Sequence, residues 1–151
     1  MALNQNQFTI STVKGTIDSG NSLTCQFYDA DPAMTIEAGE FVKLSSVAAA
    51  NAPAVTVVQK GADRAAKYFG VVVTNPLKAA WVSGDKLEVS ILNTVVMVEA
   101  ATAIPAGTSL GYDPAQKQVI GAGPGETVVG VALESATSSG QLIRALINTN
   151  F

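Results

Sequence analysis

The chain has no histidine, a single cysteine and little charge: Asp, Glu, Lys and Arg make up 14% of its 151 residues. Without imidazole, the ordinary general base of a Ser or Cys triad is missing, and so is the commonest transition-metal ligand. Cys25 alone can neither form an intrachain disulfide nor complete a zinc site. With no histidine to activate its thiol, it is not a protease-like nucleophile. Placed before Gln26-Phe27-Tyr28, it reads as a small buried apolar residue. Lys and Arg number 9 against 12 Asp and Glu, a net charge of −3, and are scattered singly from Lys14 to Arg144. No basic face is available to neutralise phosphates or an anionic bilayer, so neither nucleic acid nor membrane is an expected partner. No apolar run approaches the ~20 residues of a membrane span. The start, Met1-Ala2-Leu3-Asn4-Gln5-Asn6-Gln7, lacks the basic and apolar regions of a secretion signal, so synthesis in the cytoplasm is expected.

Carboxylates are the remaining catalytic option. Asp29 and Asp31 lie two apart and would share a face of a strand, but Pro32 follows and no calcium-loop Gly or Glu accompanies them. They read as turn chemistry. Gly121-Ala122-Gly123-Pro124-Gly125 only superficially resembles a phosphate-cradling loop: Glu126 breaks the G-x-G-x-x-G spacing, and Pro124 removes an N–H. Trp81 with Tyr68, Phe69 and Tyr112 would suit a sugar-stacking platform, although a lone Trp between Ala80 and Val82 more often belongs to a core or a subunit interface. No cofactor and no metal are expected, and the chain is expected not to be an enzyme.

What is present is β-structure. The composition is 48% hydrophobic with 13 Gly and 6 Pro, which suits a folded domain and not a disordered chain. The low charge reflects either a surface covered by a partner or a β-fold with Ser, Thr and Asn outside. Residues 1–31 are polar and read as an N-terminal arm or edge segment, with a β-like stretch from Phe8 to Val13; residues 32–151 read as the barrel domain. Leu87-Glu88-Val89-Ser90-Ile91 alternates with the period of a half-buried strand. Asn93-Thr94 and Val95-Val96-Met97-Val98 follow it, which predicts a hairpin. A second hairpin is predicted around Asp113-Pro114, between Leu110-Gly111-Tyr112 and Gln118-Val119-Ile120. Phe69 to Val73 and Val128 to Leu133 read as strands covered on both sides. Gly61 to Tyr68 is the one stretch able to form two helical turns. An all-β barrel or sandwich of short, mostly antiparallel strands is therefore expected.

The chain also repeats itself. Ile36-Glu37-Ala38-Gly39 recurs as Ile104-Pro105-Ala106-Gly107, Tyr68 to Val73 as Val128 to Leu133, and Ser83 to Ile91 as Ser139 to Ile147. The offsets are 68, 60 and 56 residues in unchanged order, which predicts a pseudo-duplicated fold with shorter loops in the second copy.

The closing run, Val129-Gly130-Val131-Ala132-Leu133-Glu134-Ser135-Ala136 and then Ser139-Gly140-Gln141-Leu142-Ile143-Arg144-Ala145-Leu146-Ile147, resembles the end of small tailed-phage capsid decoration (cement) proteins. Ile36 to Gly39 and Trp81-Val82-Ser83-Gly84-Asp85-Lys86-Leu87 add to the likeness, which covers about residues 36–147. The resemblance implies a β-tulip-like barrel, usually a homotrimer, seated on the outer capsid surface between capsomers. Its partner would be the major capsid protein, and it would stabilise the shell. Phe8, Ile10, Val13 and Trp81 are the candidate capsid or subunit contacts. The alternatives are another virion part, such as a head fibre base or minor head protein, and a carbohydrate-binding β module.

Overall fold

The computed structural model describes residues 14–47 and 55–148, and no helix occurs among them. The Gly61–Tyr68 stretch is a string of turns instead. Its backbone is held by side chains: Asp63 Oδ1 accepts from Ala65 N–H at 3.0 Å, an Asx turn that competes with helix.

The described residues form a closed barrel and a second, curled sheet, here called the first and second barrels. The first uses β2 (Ser22–Phe27), β4 (Phe41–Leu44), β5 (Thr56–Lys60), β6 (Tyr68–Val72) and β8 (Lys86–Ser90), closed in the order β2-β5-β4-β6-β8. Its β2–β5 pair is parallel and the other pairs are antiparallel. A ribbon of β3 (Thr35–Glu37) and β7 (Ala80–Val82) pairs Ile36 with Trp81 and packs both side chains into the barrel's core with Phe27, Val58 and Val89. The second unit is a six-stranded sheet in the order β1-β9-β13-β12-β10-β11. It comprises β1 (Ile17–Ser19), β9 (Val95–Glu99), β10 (Ser109–Asp113), β11 (Gln118–Gly121), β12 (Gly130–Ala132) and β13 (Leu142–Ile147). A parallel bridge between Ala100 and Val119 brings β11 back to the end of β9, so this sheet also curls around an interior. Along β13 the burial alternates as a barrel stave should: Ile143, Ala145 and Ile147 are buried, while Leu142, Arg144 and Leu146 are half-exposed.

The repeat seen in the sequence is a repeat of hydrogen bonds. Gly39 N–H donates to Val72 O at 2.8 Å, as Gly107 N–H does to Ala132 O at 2.7 Å. Gly84 N–H reaches Phe27 O at 2.7 Å, as Gly140 N–H reaches Ala100 O at 2.8 Å. Tyr28 N–H to Val58 O (2.9 Å) is matched by Ala101 N–H to Val119 O (2.8 Å). Gly39 and Gly107 both have φ of 85°, a left-handed geometry that glycine adopts without strain. The two halves clasp at equivalent residues: Asn21 N–H donates to Thr94 Oγ1 at 3.3 Å, and the Thr94 hydroxyl donates back to Asn21 O at 3.0 Å.

Two expectations need correction. β8 and β9 do not form a hairpin: β8 pairs with β2 and β6, and β9 pairs with β13 and β1. The turn is present, with Asn93 at φ 67°, but Asn93 N–H is taken by Ile147 O and Ile147 N–H by Thr94 O, each at 2.8 Å. These long-range bonds carry the chain out of one barrel into the other. Nor does the fold change character at residue 31. β2 is a stave of the first barrel and β1 is an edge of the second sheet, so the described part of the expected arm is built into the body. Residues 1–13, including Phe8, Ile10 and Val13, lie outside the described residues.

Candidate binding surface

The groups that might have done chemistry are spent on structure. Cys25 is buried in the first barrel; loss of solvation, helped by the nearby Glu88 carboxylate, pushes its thiol up to about 11, so it stays protonated and inert at neutral pH. Asp29 Oδ1 accepts from Asp31 N–H, and Asp31 Oδ1 from Ala33 N–H, each at 2.9 Å; these are successive Asx turns, the turn role expected for the pair. In the 121–125 loop the chain's own Glu126 takes the Gly123 N–H at 2.9 Å. Among the described residues no group of His, Cys, Asp and Glu is gathered as a metal site would need.

Of the aromatic residues considered as a sugar platform, Trp81, Tyr68 and Tyr112 are buried, and Phe69 is half-buried against the first core. Trp81 is 2% exposed, so it serves the core, and its ring offers no open stacking face. Tyr68 and Tyr112 are buried together with Phe41 where the barrels meet. Tyr68 and Tyr112 stand edge-on at 5.1 Å between ring centroids, and Phe41 lies 4.7 Å from Tyr112. Burial raises both phenols well above their ordinary value, and the Tyr68 hydroxyl donates to Asp63 O at 2.6 Å.

Polar staples secure the same junction. Arg64, on the turns between β5 and β6, donates to Asp113 Oδ2 at 2.8 Å and to Glu126 at 3.4 Å in the second half. Thr127 N–H also donates to Arg64 O at 3.0 Å. On another side Lys14 Nζ donates to Lys117 O at 3.3 Å and approaches Glu99 at 3.9 Å, while Lys117 approaches the buried Glu40 at 3.9 Å. These contacts tie the two halves of the molecule together.

The Arg64 contact has a pH signature. Its hydrogen bond, aided by the Ala115 N–H, holds the Asp113 carboxyl below the usual aspartate value. A depressed native pKa means that the unfolded chain binds the proton first, so this stabilisation is complete above the ordinary aspartate value of ~3.9 and fades as pH falls through the lower native one. Thermal unfolding should therefore show the melting temperature dropping below about pH 4, and dropping less steeply in Arg64→Met. Equal slopes in the two proteins would remove Arg64 as the cause.

Leu77, at the apex of the loop between β6 and β7, is the outermost apolar side chain among the described residues, 94% exposed. Beneath that loop a groove of 390 Å³ separates Thr74, Asn75 and Pro76 from Lys86 and Glu88, with Trp81 in its lining. Sequence reading missed both Arg64 and this loop. The loop did leave a trace, since the fall in repeat offset from 60 to 56 marks four extra residues here in the first copy.

Compared with known proteins, the chain matches a family model described as phage cement protein across residues 17–147. No curated protein matches it. Among solved structures, the crystal structure of the head fibre gp8.5 N base of bacteriophage phi29 is similar with a TM-score of 0.56 at 19% identity. The match covers 85% of this chain and 93% of that one. At that identity the likeness concerns the fold, and it agrees with the all-β architecture described above.

Proposed function

Because this chain belongs to the phage cement protein family, a structural virion protein that decorates the capsid, we propose that it sits on the outer surface of the shell between capsomers, as a homotrimer, and clamps neighbouring major capsid subunits against internal pressure. The observation that carries this reading is the family match across residues 17–147, which takes in both barrels and their junction. The double barrel suits the role. A clamp must transmit load without opening, and here an aromatic cluster and two sets of ion pairs tie the halves together. The closed first barrel has no free strand edge, which limits the edges by which a protein made in many copies could pair with itself before it reaches the shell. Phe8, Ile10 and Val13, within the polar segment 2–13, are assigned to the partner-facing surface. Trp81 supports that surface from within, by fixing β7 beside the groove.

Purified protein added to undecorated shells of its cognate capsid should fill a saturable, symmetric set of sites and raise the temperature at which the shells disrupt. Deleting residues 2–13 should weaken that binding and leave the melting of the free protein unchanged. Absence of binding, or saturation with no gain in shell stability, would overturn the reading. A head fibre base, the other reading that the fold likeness invites, would occupy only a subset of equivalent sites, and counting copies per shell separates the two.

A further inference from the structure

The internal repeat shows where the halves differ outside the core. From Val72 to Gly84 the first half runs 12 residues, whereas the equivalent stretch from Ala132 to Gly140 runs 8. The additional residues form a tight turn, closed by a bridge between Asn75 and Lys78. Every residue from Asn75 to Ala79 is exposed, so the turn adds nothing to the interior. It is nevertheless firmly held. Leu77 N–H donates to Asn75 Oδ1 at 2.9 Å, and Lys78 N–H to Asn75 O at 3.2 Å. Lys78 Nζ donates to Asp85 at 2.8 Å, anchoring the turn to the barrel, and Pro76 fixes its own φ.

A solitary exposed leucine is ordinary. A leucine at the apex of an inserted, pre-ordered turn is different, because the conformational freedom that docking would remove is already gone. We propose that Leu77 is the knob by which this protein seats in an apolar socket of the major capsid protein, an inference that rests on the decoration role above. Contact area decides the kind of partner. One leucine and its turn supply only a small part of the ~800 Å² per side that a stable pair of free proteins buries. Such a knob is too small to hold two copies of this chain together. It fits an array of identical sites, where an oligomer engages several sockets at once and the weak contacts multiply. The 390 Å³ groove beneath the turn leaves room for the rim of the socket.

The test is co-sedimentation with shells of the cognate major capsid protein assembled without this chain. Wild type, Leu77→Asp and Leu77→Met are titrated in parallel, and the unfolding of each free protein is recorded. Leu77→Asp should unfold like wild type and bind shells at least about tenfold more weakly, as loss of an interface anchor does, while Leu77→Met should bind like wild type. Shell binding by Leu77→Asp equal to wild type would overturn the knob and leave the decoration role standing. Failure of the wild type to bind would overturn the decoration role, and the knob with it.

Discussion

Replacing Trp81 with alanine should destabilise the protein by about 3–5 kcal/mol, the range for removing a fully packed large aromatic side chain. The ring is the largest of the fully buried side chains and belongs to the smaller of the two cores, with Phe27, Ile36, Val58 and Val89 around it. Few neighbours are left to collapse into the space, because the barrel wall is closed on itself and the ribbon above it consists of three residues per strand. The second half copes with an alanine at the matching place: Ala136 bridges Ile104 as Trp81 pairs with Ile36. Of the 5–15 kcal/mol that a typical domain commands, the loss would be a large share, equivalent to roughly a 10 °C fall in melting temperature. Denaturant unfolding measures it directly, and a change below about 1 kcal/mol would show that the ring is not packed as described.

Alanine at Gly70 or Gly130 should be comparably damaging, for a different reason. A Cβ on Gly70 would run into the Ser90 carbonyl, and one on Gly130 into that of Leu146; both obstacles are backbone atoms of the adjacent strand and cannot rotate aside. Relief requires the strands to part at β6–β8 or β12–β13, which opens a barrel wall. A cost of about 3 kcal/mol per site, at the upper end for overpacking, is expected. Gly107 is the natural control, because the space where its Cβ would stand is empty within 4 Å. Gly107→Ala meets only the left-handed φ, a penalty of about 1–2 kcal/mol. Unfolding curves should rank Gly70→Ala and Gly130→Ala well below Gly107→Ala. Equal losses at all three would mean that steric contact between strands is not what these glycines prevent.

The two sites are equivalents under the repeat, and the repeat was legible before any coordinates. Its signals are local: a glycine where the chain must turn left-handed, a glycine where backbones touch, and a Ser-Gly turn feeding an alternating strand. Local signals also delivered the β10–β11 hairpin, whose register runs Leu110 to Gly121 through Asp113 to Gln118. They failed between β8 and β9. The turn at Asn93 is real, but a turn does not say which neighbour will claim the next strand, and here Ile147, far along the chain, claims it. The same blindness hid Arg64, whose acidic partners come from β10 and the loop after β11. It also placed the boundary at residue 31, because a polar Ser/Thr-rich strand such as β2 looks like an arm until its partners, β5 and β8, are known. Leu77 escaped notice because exposure belongs to the folded surface and is not written in composition.

The order of the staves along the chain sets an order of events during synthesis. Every strand of the first barrel lies between residues 22 and 90, so that barrel can close while the second is still being translated. Until Tyr112 emerges, Phe41 and Tyr68 lack the ring that covers them in the finished protein. Among the described strands β1 is made first and pairs only with β9, so it must wait through the entire first barrel for its partner. The nascent half-molecule thus has a sticky face and an unpaired leading strand, and the second barrel buries both.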